Sequence, residues 1–202
     1  QLQEDEQLHA HLLFSAGHKL ASQKCLWYVV KYKRKGKGYT FCSEHEMEGK
    51  LKIQEGFEAP AKIVRRLEPN IAHKTLGHWI SPSRNNDKQK ADIATKANTW
   101  SKQINNSGLS RSDRQMAYSA FLLPSIRYKL VSTNLSFDEC DKLMTRVKEV
   151  LLNAHGMNKN CSRNILFQPA SNMGLGYFHW YHIKGFEKLK MFLLHSRNSA
   201  VE

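Results

Sequence analysis

The stretch Ala72-His73-Lys74-Thr75-Leu76-Gly77-His78-Trp79-Ile80, which stops at Ser81-Pro82, separates two kinds of pattern. Before it, apolar residues cluster in short β-branched and aromatic runs broken by turn residues. After it they recur at helical spacing. Strands first and helices afterwards predict an α+β chain, with a small, mainly antiparallel sheet carrying one helix, followed by an all-helical region. The Leu76-Gly77 pair has two readings. A glycine inside a strand pattern marks a bend, a bulge or a close backbone approach, where a ligand chain could lie. The other reading is an ordinary two-strand hairpin.

Charge narrows the class of partner. The 202 residues carry a formal charge of +13, a field that favours polyanions or anionic surfaces over acidic proteins by default. Residues 1–82 hold 13 Lys/Arg against 9 Asp/Glu, and residues 83–202 hold 18 against 9, so the excess is +4 in the first part and +9 in the second. No apolar run approaches the roughly 20 residues that cross a bilayer. Cys25, Cys42, Cys140 and Cys161 are scattered without a C-x-x-C pair or a secretory signal, which predicts reduced thiols and an intracellular protein. The chain starts at Gln1 rather than Met, as a processed protein or a piece of a longer one would.

In the first part, residues 1–16 place Leu8, Leu12 and Leu13 on one helical side behind Glu4-Asp5-Glu6. Lys24-Cys25-Leu26-Trp27-Tyr28-Val29-Val30-Lys31-Tyr32 reads as one strand, joined by a basic glycine turn to Tyr39-Thr40-Phe41-Cys42. Residues 50–54 and 61–67 are two further strands. In the second part, Ile93, Ala97, Trp100 and Ile104 form one apolar helical stripe, with Lys88, Lys90, Lys96 and Lys102 on the other faces. Ser110-x-x-Asp113 resembles a cap for a second helix that Pro124 breaks or kinks. Ser136-x-x-Glu139 is a capping box heading a helix through Leu151, with Lys142, Arg146 and Lys148 off its apolar stripe and solvated. Met173-Gly174-Leu175-Gly176 predicts a flexible corner. A last helix over 177–197 is expected to bury Phe178, Tyr181, Leu189 and Phe192 and to display Lys184, Lys188, Lys190 and Arg197.

Catalytic motifs are missing: there is no P-loop, no H-E-x-x-H and no G-x-S-x-G. His9-x-His11 and His179-x-x-His182 lack further ligands at suitable spacing, so no metal site of the chain's own is expected. The adjacent acids at Glu4-Asp5-Glu6 and Asp138-Glu139-Cys140-Asp141 fall in first helical turns, where they suit the dipole. What remains is cations beside rings: Lys24 with Trp27 and Tyr28, Lys74 with His78 and Trp79, Arg127 with Tyr128, and Lys184 with Phe186. Such pairs suit a groove that tracks a nucleic-acid backbone without reading sequence.

These residues also carry a resemblance. Ser15-Ala16-Gly17-His18-Lys19-Leu20-x-x-x-Lys24-Cys25-Leu26-Trp27-Tyr28 resembles the segment that follows the catalytic Asp-Asp strand in reverse transcriptases of non-LTR-type retroelements (retrotransposons). His73-Lys74-Thr75-Leu76-Gly77 is similar to the next motif, the primer grip, where palm meets thumb. Leu123-Pro124-Ser125-Ile126-Arg127-Tyr128, Leu135-Ser136-x-x-Glu139-Cys140-Asp141 and Gly174-Leu175-Gly176 resemble the thumb and connection region that follows.

The resemblance implies that residues 1–82 are the end of a palm (a palm remnant) and 83–202 a helical thumb-like region of an RNA-directed DNA polymerase. It makes Lys24 a candidate proton donor to the leaving pyrophosphate. It also makes His73, Lys74, Thr75, Leu76, Gly77, His78, Trp79, Arg127 and Lys184 contacts to an RNA/DNA primer-template. Fingers and the strands bearing the metal-binding aspartates would belong to an upstream part of the parent polypeptide. Mg2+ is then expected only in the complete polymerase, with no cofactor bound by this chain and no membrane partner. Two other readings stand beside this one: a non-enzymatic single-stranded nucleic-acid-binding module, and a decayed retroelement remnant without activity.

Overall fold

The computed structural model describes residues 8, 21–54 and 60–198. The helix expected over 1–16 lies, apart from Leu8, outside the described residues, as does His9-x-His11. The fold is α+β: small, mostly antiparallel two-stranded sheets come first and a helical region follows. Two compact units are present, one of residues 1–73 with 80–85 and one of residues 74–79 with 86–202. The tip of the central hairpin therefore groups with the helices.

In the first unit, β1 (Leu26–Tyr28) pairs in parallel with β6 (Arg65–Leu67). β2 (Tyr32–Lys35) pairs antiparallel with β3 (Gly38–Phe41), and β4 (Lys52–Ile53) with β5 (Lys62–Ile63). The single strand expected over 24–32 is thus two strands, because its halves pair with different partners. Leu51, Ile53 and Val64 form a small core with Cys25 and Trp27 against it. The Trp27 indole N–H donates to the Val64 carbonyl at 3.2 Å, which fixes this ring as packing. β7 (His73–Thr75) and β8 (His78–Ile80) form the last pair.

The helical unit is built on α1 (Asp87–Asn105), whose stripe Ile93, Ala97, Trp100 and Ile104 is buried as its spacing predicts. α2 (Arg111–Ala117) starts at Ser110, whose hydroxyl accepts from the Asp113 N–H. Between α2 and α3 (Leu123–Val131) the chain does not break at Pro124. Residues 118–122 widen into a π turn instead, with the Leu123 N–H reaching back to the Tyr118 carbonyl. Proline lacks the N–H that an α-helix needs and crowds the carbonyl four residues back; a π turn relieves both and lets the helical path continue.

The capping box at Ser136 is complete and opens α4 (Phe137–Leu143). The one helix expected through Leu151 is interrupted at Met144 (φ −81°, ψ −7°) before α5 (Thr145–Ala154). The backbone ladder still crosses the step, since the Met144 N–H donates to Cys140 and the Lys148 N–H to Met144. The Thr145 hydroxyl back-bonds to the Asp141 carbonyl, a bond that bends helices. Cys140, Met144, Val147, Val150 and Leu151 enter the core.

Lys148 departs from its expected solvated place. It is 0% exposed, and its ammonium sits 2.5 Å from Asp141 Oδ1, which His179 Nε2 also approaches at 3.3 Å. Burial works against ionisation of Asp141, but the hydrogen bonds and charges of Lys148 and His179 outweigh it and hold the carboxyl below its usual range. Helical spacing assigned Lys148 to solvent because it cannot see a helix packing against the polar face.

α6 (Asn164–Phe167) is followed by the 173–176 corner, which is pinned rather than flexible. Leu175 N–H donates to Ile165, Gly176 N–H to Gln168 and Tyr177 N–H to Leu166, at 2.8–2.9 Å. A Cβ on Gly174 would lie 2.1 Å from the Gln168 carbonyl oxygen, so the backbone approach itself demands glycine.

The last helix, α7 (Trp180–Asn198), faces the core in a way its sequence did not predict. Trp180 and Ile183 are buried, and Lys184 is buried too, whereas Phe178, Leu189 and Phe192 are exposed and Tyr181 is 38% exposed. Trp180 packs where its indole donates to the Tyr118 hydroxyl at 3.3 Å, and burial pushes the Tyr118 phenol up to about 12. The polar handle of one aromatic meets that of another, so the helix turns this face inward.

Two measurements test this arrangement. Asp141→Ala strips a fully buried ammonium of its partner and should cost about 3–5 kcal/mol in denaturant unfolding, whereas Lys148→Met, which removes the charge and keeps the stem, should cost far less. Gly174→Ala should lower the thermal midpoint sharply, while Gly108→Ala, with open space around its Cβ, should not.

Candidate nucleic-acid interface

The hairpin at 73–80 turns through two residues that both have left-handed backbones, Leu76 at φ 49° and Gly77 at φ 85°. Positive φ at both central positions is the mirror-type hairpin turn whose twist matches that of its strands. Open space surrounds Gly77, so no described chain lies against the bend, and the ordinary hairpin is the reading the structure supports. Leucine is a poor residue for such a position, costing roughly 1–2 kcal/mol. Leu76 is moreover 87% exposed, so no packing of its side chain offsets that cost.

The hairpin is fixed at its foot. His78 is buried, its Nδ1 lies 2.7 Å from the Ser132 hydroxyl just past α3, and its ring meets Tyr128 edge-on at 3.9 Å. Burial, helped by the nearby Lys129 charge, lowers the His78 pKa. The Trp79 N–H donates to the side-chain oxygen of buried Gln89 in α1 at 2.8 Å. The backbone is thus tied to two helices by polar bonds, and the tip is left outward.

Cations collect around this foot. The Lys88 ammonium lies 4.9 Å from the Trp79 ring centre and that of Lys74 6.0 Å away. Lys96, also on α1, donates to the Ser125 carbonyl at 3.4 Å, and its pKa is lowered by burial and by the nearby Lys129 and Lys74 charges, with Asp92 opposing. Lys129 is paired with Asp92. Lys74 and Lys96, together with the Asp92-paired Lys129, gather positive charge at one place, and such a cluster gains from an anion.

The other expected contacts divide. His73 is half-buried, and Lys74 and Thr75 are exposed on the outer strand. Arg127 does not stack on Tyr128; its guanidinium is paired with Glu187. Lys184, expected on the surface, is buried, donates to the Leu135 carbonyl, and lies 4.6 Å from the Tyr181 ring rather than beside Phe186. Lys24, in the first unit, is exposed at the end of a 3-10 turn (Ser22–Lys24), and the ring of Trp27 is covered by Arg66 at 5.3 Å instead. Lys88 and Lys96 were visible in the sequence as polar-face lysines; what tied them to the hairpin was the fold.

Among the described residues no three of His, Cys, Asp and Glu converge on a common point, and no helix is long and apolar enough to cross a membrane. Comparison with family models, with curated proteins and with solved structures finds no match. Fold and site together define the class: an α+β chain whose hairpin tip projects from a lysine-rich helical surface.

Two outcomes follow for the hairpin. Leu76→Asn, better suited to a left-handed position, should raise stability by about 0.5–1 kcal/mol in urea melts. Burial depresses the pKa values of His78, His155 and His179 in the folded state. The unfolded chain, with ordinary values near 6.5, therefore binds more protons as pH falls through that value. The thermal midpoint should accordingly be constant above about pH 7.5 and drop toward pH 5.5, and His78→Gln should flatten the drop.

Proposed function

We propose that the chain is the C-terminal portion of a reverse-transcriptase-like polypeptide, and that it holds primer-template nucleic acid on the hairpin and the lysine-rich face beneath it. The carrying observation is the exposed two-residue tip at Leu76-Gly77 on a hairpin whose Trp79 ring has the Lys88 ammonium at 4.9 Å and that of Lys74 at 6.0 Å, with Lys96 within reach of the Lys74 charge. A duplex backbone is a dense line of negative charge, and clustered lysines bind it by displacing condensed counterions. The exposed tip offers backbone and a small turn to a groove or strand, while the buried His78 keeps its direction fixed.

In this reading Lys74, Lys88 and Lys96 supply affinity and His73, Thr75, Leu76 and Gly77 supply shape. His78 and Trp79 position the hairpin. Arg127 and Lys184 hold α7 through Glu187 and Leu135. The residues that would hold Mg2+ belong to the upstream fingers and palm, and exposed Lys24 remains the candidate proton donor beside them.

Anisotropy of a labelled RNA–DNA hybrid tests it. Binding should weaken steeply between about 50 and 200 mM salt, and each of Lys74→Gln, Lys88→Gln and Lys96→Gln should reduce the log–log salt slope by about 0.9. Salt-insensitive binding, no binding at about 50 mM salt, or an unchanged slope in all three variants would defeat the reading. A strong preference for single strands that Trp79→Ala abolishes would transfer the site to the single-strand-binding alternative.

A further inference from the structure

Past His182, whose ring meets Phe137 edge-on at 6.5 Å, one face of α7 has no described partner. His182, Phe186, Leu189 and Leu193 follow the i, i+4, i+7, i+11 spacing of a single helical stripe, and Phe186 is 63% exposed, Leu189 56% and Leu193 51%. The stripe begins in an almost wholly apolar hollow of about 500 Å³ between α3 and α7, floored by Leu123, Ile183 and Phe186. It continues past Phe186 into a second hollow of about 270 Å³ toward Leu193 and Arg197. Large apolar side chains left in water over that length are unfavourable by themselves, and a run of this size marks a contact surface.

The border of the stripe is basic. Lys190 and Arg197 are exposed along it, and Glu187, which is the only acid among residues 178–198, is taken up by Arg127. We propose that this groove receives an acidic amphipathic helix of a protein partner, of about four turns, with its apolar side chains in the two hollows and its carboxylates facing Lys190 and Arg197. From His182 to Arg197 the groove runs about 22 Å, which sets that length.

Three other occupants fit less well. A second copy would set the same basic borders against each other in a chain already at +13. A bilayer surface calls for apolar and charged faces kept apart, whereas Met191-Phe192-Leu193-Leu194 circles the helix and the first hollow needs a side chain to fill it. A nucleic-acid backbone would match the cations and leave the apolar floor bare. A helix laid in a groove satisfies both, with anchors at i, i+3, i+4 and i+7.

The test uses the full chain and three labelled synthetic peptides of about five turns. One carries leucines at i, i+3, i+4 and i+7 with glutamates elsewhere, one has the same leucines with lysines, and one is the acidic peptide scrambled. The acidic amphipathic peptide should bind at least about tenfold more tightly than either of the others. Phe186→Ser and Leu193→Ser, both at exposed positions and so without effect on the thermal midpoint, should each weaken it by about tenfold or more while RNA–DNA hybrid binding stays unchanged.

Equal binding of the scrambled peptide would show attraction by charge alone and overturn the proposal, as would no binding of the acidic peptide. So would a concentration-dependent dimer that Leu193→Ser dissolves, or anionic-vesicle binding that the same change abolishes. Because hybrid binding is measured separately, failure here leaves the nucleic-acid reading standing, and the reverse holds as well.

Discussion

A single carboxylate organises the helical unit. Asp141 lies in α4, yet it receives the ammonium of Lys148 from α5 and the ring N–H side of His179 from the segment entering α7. A fully buried ammonium without such a partner is strongly destabilising, so the pair fixes how α4 and α5 meet. Phe137 stacks on the His179 ring at 4.5 Å and closes that side. With His179 held, Trp180 and Ile183 point into the core, and the opposite face of α7 is left in solvent.

The hairpin follows the same logic on a smaller scale. A two-residue turn is by itself a weak element, because an isolated ribbon is marginally stable in water. The His78–Ser132 hydrogen bond, the Tyr128 contact and the Trp79–Gln89 bond replace the missing sheet with helices. This leaves the tip free of packing while its base is rigid. It also brings Lys74, from a strand, beside Lys88 and Lys96, from a helix, which residue order alone keeps far apart.

Polar groups steer both places, and apolar burial supplies the stabilisation around them. Tyr118 shows the link: its hydroxyl accepts from Trp180 inside the core, and it belongs to the π turn that Pro124 imposes. The proline expected to break the helix is instead accommodated by the π turn that carries Tyr118, the aromatic that α7 packs against. The polar faces of the remaining helices, including exposed Lys142 and Arg146, behave as solvated surface.

By itself the sequence determined what depends on near neighbours. The change of period at Ser81-Pro82, the α1 stripe and the Ser110 and Ser136 caps are all set within a few residues, so spacing and residue type suffice to read them, whereas at Leu76-Gly77 they left a bend and a hairpin both open. Tertiary structure alone decided what depends on a partner from elsewhere. One strand became two because its halves found different neighbours, Lys148 and Lys184 went inside because Asp141 and the Leu135 carbonyl were there to receive them, and Leu189 and Phe192 stayed outside because Trp180 took the inward face. Helical periodicity says which residues share a face, but not which of two apolar faces will meet the core. That choice rests on polar contacts between segments up to 62 residues apart, which no local pattern records.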